Sequence, residues 1–97
     1  MALYNYSPTF TLYLINMEKP IIRIAIADDH SLVRGAIVSL INSIDFGCQF
    51  IFEAGDGLEL LNKIDRSLIQ PDVCLIDISM PNMDGYETML QLHKKYP

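Results

Sequence analysis

Beyond residue 20, short apolar runs alternate with stretches whose apolar residues recur every three or four positions. Ile21-Ile22-Arg23-Ile24-Ala25-Ile26-Ala27, Phe50-Ile51-Phe52 and Val73-Cys74-Leu75-Ile76 are bounded by turn-forming residues and too short for buried helices. They predict strands, and the near-continuous apolar character of the first and third is that of strands covered on both faces. Ser31 to about Ile44 predicts a helix with Val33, Ala36, Ile37, Leu40, Ile41 and Ile44 facing inward and Arg34, Ser39 and Asn42 facing water. A second helix follows Asp56, with Leu58, Leu61, Ile64 and Leu68 as its buried stripe. A third follows Asp84, with Tyr86, Met89, Leu90 and part of His93 inward. Asp56 to Glu59 and Asp84 to Glu87 have the spacing of a capping box, in which the first residue accepts from first-turn amides and the second reaches back. Lys94 and Lys95 suit the negative end of the last helix, and Pro97 stops it. The order β-α-β-α-β-α with short connections is that of a parallel α/β sheet.

Two of the strands run directly into acid. The first ends at Asp28-Asp29, the third at Asp77. In an open parallel α/β sheet the ligand crevice lies outside the carboxyl ends of the strands, where strand order reverses. Carboxylates from two strands can converge there and form a cation site. Magnesium suits such a site, since it takes oxygen ligands, few carboxylates, and waters or phosphate oxygens in its remaining positions.

The chain has 97 residues, one domain at most, and a net charge of −5 from seven basic and twelve acidic residues. That balance argues against direct nucleic-acid binding, which needs clustered Lys and Arg. Cys48 and Cys74 lie among apolar neighbours outside any CxxC pair and read as reduced thiols. No apolar run reaches the ~18 residues of a membrane span. Residues 1–16 lack a basic segment and cleavage site of a secretory signal, so a cytoplasmic location is expected. Residues 1–20 read as a poorly ordered extension, although Thr9–Ile15 alternates weakly and offers an edge strand; the domain proper is 21–97.

From about Ile21 to Pro97 the chain resembles the receiver (CheY-like) domain of two-component response regulators. Asp28-Asp29 and Asp77-x-x-Met80-Pro81-x-Met83-Asp84-Gly85 carry the resemblance. It implies a flavodoxin-like open parallel sheet with helices on both faces, of which strands in the order 2-1-3 are present and strands 4 and 5 are missing. On this pattern Asp77 is the phospho-acceptor, taking a phosphoryl group from a sensor histidine kinase or phosphotransfer protein. Mg2+ would be bound by Asp29, Asp77 and the backbone carbonyl of Ser79, with Asp28 acting mainly through a bound water. The resemblance also implies a Ser or Thr and a Lys on the missing strands, for which Thr88 and Lys94 are no substitutes. Ile26 to Arg34 is most similar to regulators that join a receiver to a LuxR-type helix-turn-helix domain, the NarL/FixJ class. The intact parent would then regulate transcription.

Other readings stay open. Without a fourth strand the Val73–Ile78 edge would lie bare and favour self-association, making the chain a non-functional fragment or an interaction piece. A phosphohydrolase of the haloacid dehalogenase type also uses an Asp after a buried strand with magnesium, but it wants a second Asp where Ser79 stands. Asp84 reads as a helix cap. His30 reads as structural or solvent-facing at the helix start, with pH sensing as a further role open to an imidazole. Glu53, Asp56 and Glu59 read as capping and a solvated face.

Overall fold

The computed structural model describes residues 2–5, 21–44 and 47–97. Its elements are β1 (Ala2–Asn5), β2 (Ile22–Ala27), α1 (Ser31–Asn42), β3 (Cys48–Ala54), α2 (Gly57–Arg66), β4 (Val73–Ile76) and α3 (Gly85–Lys95). The strands form one sheet in the order β1-β4-β2-β3. β2 pairs in parallel with both β3 and β4, and β1 pairs antiparallel with β4. The three parallel strands thus reproduce the expected 2-1-3 order of a flavodoxin-like sheet.

Connection handedness places the helices. Moving from β2 to β3 through α1 steps one way along the sheet; moving from β3 back past β2 to β4 through α2 steps the other way. Right-handed crossovers therefore put α1 and α2 on opposite faces. The burial agrees: Ala25, Ala27, Cys74 and Ile76 join Leu60, Leu61, Ile64 and Leu92 in one core under α2 and α3. Ile24 and Ile26, the alternate positions of β2, are also buried but belong to the other face. Cys74 sits deep enough in this core that burial pushes its thiol up to about 12.

The inward faces differ from those the spacing predicted. In α2 the buried set is Gly57, Leu60, Leu61 and Ile64, an i, i+3, i+4, i+7 stripe, while Leu58 and Leu68 are exposed. In α3 Gly85, Thr88 and Leu92 are buried and Tyr86 and Leu90 exposed. The two glycines set this phase. A Cβ on Gly85 would overlap the carbonyl oxygen of Asp77, and one on Gly57 would overlap Thr88 Oγ1, so Gly85 packs against the backbone after β4 and Gly57 against the Thr88 hydroxyl, and the larger residues are turned aside. In α1 no residue is fully buried. Arg34, Ile37, Val38 and Ile41 are half-buried, whereas Val33, Ala36, Leu40 and Ile44 face outward.

The edge expected to be bare is paired. Ala2–Asn5 lies along β4 in the register Ala2↔Ile76, Leu3↔Leu75, Tyr4↔Cys74 and Asn5↔Val73. Both edges of β4 are therefore hydrogen-bonded, one to β2 and one to β1, which removes the open ladder on which self-association through this strand was argued. The edge strand considered at Thr9–Ile15, and the rest of the extension beyond Asn5, lie outside the described residues.

Candidate functional site

β2 and β4 are neighbours whose following helices, α1 and α3, lie on opposite faces of the sheet, which makes the gap between their carboxyl ends the switch point of the sheet. Ala27 pairs with Ile76, so Asp28 and Asp77 leave the sheet at the same level. Backbone bonds hold them there: the Asp77 amide donates to the Ala27 carbonyl at 2.9 Å and the Asp28 amide to the Ala54 carbonyl at 3.0 Å. The chain bends at Asp29, which brings the second acid of the pair back over the strand end.

Asp28, Asp29, His30 and Asp77 each offer one ligand atom, and these atoms all lie within 4.8 Å of one another. Access is graded: the Asp28 side chain is 4% exposed, Asp29 31% and Asp77 24%. Unit charges about 4 Å apart repel by roughly 4 kcal/mol at an effective dielectric near 20, so such a cluster favours a cation. The all-oxygen carboxylate donors suit Mg2+. Ser79 donates its amide to Asp77 Oδ1 at 3.4 Å, turning the chain just after Asp77.

The loop that follows is held at several points. Gly85 donates its amide to the Ile78 carbonyl at 2.8 Å, and Asp84 accepts from the Glu87 amide at 2.9 Å as the cap of α3. Asn82 adopts a left-handed φ of 64°, which Asn tolerates better than most residues, and its Nδ2 donates to Asp56 Oδ2 at 2.7 Å. Asp56 also caps α2 by accepting from the Glu59 amide, while Glu59 accepts from Gly55. The Glu59 amide bond, then the Asn82 bond, hold the Asp56 carboxyl below its usual range; the Gly55 amide does the same for Glu59. The acids at 56 and 59 thus cap α2, and Asp56 also anchors the loop beyond Asp77.

Two residues have larger parts than their sequence positions indicated. Arg34, expected in water, turns back along the first turn of α1, and its Nη1 donates to the Asp28 carbonyl at 2.5 Å and the Ala54 carbonyl at 3.4 Å. It braces the strand end that carries the acid pair. His30 is 66% exposed, yet its Nδ1 lies 3.2 Å from Asp28 Oδ1, 3.1 Å from Asp29 Oδ1 and 4.0 Å from Asp77 Oδ2. Its position immediately after the acid pair was the available signal. Asp72, buried at the start of β4, accepts from the Arg23 amide at 3.0 Å and is structural.

Residues 24–97 match the response regulator receiver domain family. CheY of Listeria monocytogenes is 36% identical over 76 residues, covering 78% of this chain and 60% of that protein. The response regulator GacA of Pseudomonas viridiflava is 38% identical over 76 residues, covering 78% of this chain and 34% of GacA. Among solved structures, the response regulator domain of Thermotoga maritima CheB superposes with a TM-score of 0.66 at 35% identity, covering 79% of this chain and 55% of the other. The chain belongs to the response regulator receiver domains, regulatory modules of two-component signalling. It spans about a third to three fifths of the length of these relatives.

Proposed function

We propose that the chain is a phosphoryl-accepting receiver in which Asp77 takes the group from a phosphohistidine of a sensor kinase or phosphotransfer protein in the cytoplasm. The observation that carries this reading is the meeting of Asp28, Asp29 and Asp77 at the switch point of the sheet. Asp77 is partly exposed, directly follows the buried strand β4 and has its amide bonded to the Ala27 carbonyl, so its carboxylate is open to an incoming group while its backbone is held. A carboxylate oxygen of Asp77 attacks phosphorus as the P–N bond opposite it breaks; the electron pair stays on the donor imidazole, and an acyl phosphate is left on Asp77. Asp28, Asp29, Asp77 and the Ser79 carbonyl would hold Mg2+, which supplies neutralising charge for the phosphoryl oxygens. Arg34 keeps Asp28 in place, and the Asn82–Asp56 bond keeps the loop after Asp77 from swinging across the site. We further propose that the receiver's parent is a transcriptional regulator of the NarL/FixJ class, on the similarity of Ile26 to Arg34; reading the coding sequence beyond codon 97 tests that.

Incubating the protein with acetyl phosphate and Mg2+ and weighing it intact tests the acceptor. The expected result is one added phosphoryl group on the wild type and none on Asp77→Asn. Label that persists on Asp77→Asn overturns the assignment.

A further inference from the structure

We propose that Asp56 and Asn82 act as a positioning pair for phosphoryl uptake: the hydrogen bond between them holds a strained turn closed, and that turn aims the Ser79 amide at the Asp77 carboxylate. This rests on the reading of Asp77 as the acceptor. The turn is Pro81-Asn82-Met83, in which the Met83 amide donates to the Pro81 carbonyl at 2.6 Å across a central residue with a φ of 64°. A bond to the second residue back, closed over a positive φ, makes a γ-turn of the rare and strained kind. Among the described residues Asn82 is the one non-glycine with a positive φ. Such a conformation persists where its surroundings impose it, and strain of this sort gathers at working sites.

The start of α2 imposes it. Asn82 Nδ2 donates to Asp56 Oδ2 at 2.7 Å, and the Gly57 amide donates to the Met83 carbonyl at 3.3 Å. Across the loop, the Gly85 amide donates to the Ile78 carbonyl at 2.8 Å. With Ile78 and Met83 both tied, slack in the loop falls between them, where Ser79 stands. The Ser79 amide reaches Asp77 Oδ1 at 3.4 Å, the outer end of hydrogen-bond range, so a small loosening of the turn breaks that contact and frees the carboxylate to rotate. Asp56 divides its oxygens between two tasks: Oδ1 accepts from the Glu59 amide at 2.9 Å and caps α2, while Oδ2 takes Asn82. The two tasks are therefore separable by substitution. Asp56→Asn keeps an oxygen for the cap and turns an NH2 group toward that of Asn82. Asn82→Asp, which still tolerates a positive φ, sets carboxylate against carboxylate. The double variant restores the bond with donor and acceptor exchanged.

The wild type, Asp56→Asn, Asn82→Asp and the double variant, each as the 97-residue protein, are compared by two measurements. One is the rate of phosphoryl uptake from acetyl phosphate with Mg2+, read by intact mass; the other is hydrogen exchange of the amides of residues 78–85 and of α2 with neither reagent present. In each single variant uptake falls about tenfold, inside the roughly hundredfold that a misplacement of about 1 Å can cost, and the loop amides exchange faster while those of α2 keep their protection. The double variant recovers both rate and loop protection, which loss of the fold or of the cap would not allow. Equal uptake in all four proteins, or a double variant no faster than its slower parent, overturns the proposal while Asp77 stands as acceptor. A wild type that takes up no phosphoryl group, or label that persists on Asp77→Asn, overturns the acceptor reading and the proposal with it.

Discussion

Single residues fix the position of Asp77 more tightly than its charge alone conveys. Gly85 has no room for a methyl group: a Cβ there would overlap the Asp77 carbonyl oxygen and lie 2.7 Å from Ile78 Cα. The obstacle is backbone, which cannot rotate away as a side chain can. Gly85→Ala should lower stability by about 2 kcal/mol or more, within the range for overpacked sites. Because the displaced backbone carries Asp77, phosphoryl uptake should slow too; a urea midpoint and an uptake rate both equal to wild type would contradict this. The acids at 28, 29 and 77 were legible because each interrupts or ends an apolar run. Arg34 was not, since only the fold shows that the first turn of α1 leans back over the end of β2. Arg34→Ala should destabilise the protein by about 1 to 3 kcal/mol, the cost of a lost bond from a charged donor, measured by urea unfolding. No loss of stability would mean the brace is incidental.

At the scale of elements, strand placement was readable and helical phase was not. Buried parallel strands announce themselves as apolar runs, so β2 and β4 were located to within a residue or two. The phase of α2 and α3 depends on where glycine permits close approach, and Gly57 and Gly85 turn those helices so that Leu60, Thr88 and Leu92 are inward. β1 was missed because four residues with no partner in sight carry little pattern of their own. Its pairing gives β4 a second hydrogen-bonded neighbour in a sheet whose third strand is otherwise an edge. Deleting residues 1–5 should therefore expose β4 and produce concentration-dependent association, read by sedimentation velocity. A truncated chain that stays as monomeric as the full one would show that β1 does not shield that edge.

For the whole molecule, the carboxylates that tie one element to another set the response to acid. Asp56 and Glu59 hold α2 and the loop after Asp77, and Asp65 accepts from Tyr96 Oη at 2.6 Å and from Lys95 at 2.9 Å, joining the ends of α2 and α3. The Tyr96 bond, followed by the Lys95 bond, lowers the Asp65 carboxyl, as backbone amides lower Asp56 and Glu59. Each group binds its proton less readily folded than unfolded. Their stabilisation is present above the unfolded carboxylate values of about 3.9 to 4.3 and drains away as pH falls through the lower folded ones. Urea midpoints should hold steady down to about pH 5 and then decline toward about pH 3. All three groups keep part of their surface in solvent, which screens these interactions, so the decline should be shallow. A midpoint that rises on acidification would contradict the assignment of these bonds. The central claim is that one carboxylate at the switch point of the sheet receives the phosphoryl group. Borohydride reduces an acyl phosphate on aspartate to homoserine, so treating the phosphorylated protein with it and sequencing the peptides by mass spectrometry locates the acceptor. The account predicts conversion at position 77 and at no other acid; conversion at position 28 or 29, or none in protein that carries the label, would contradict it.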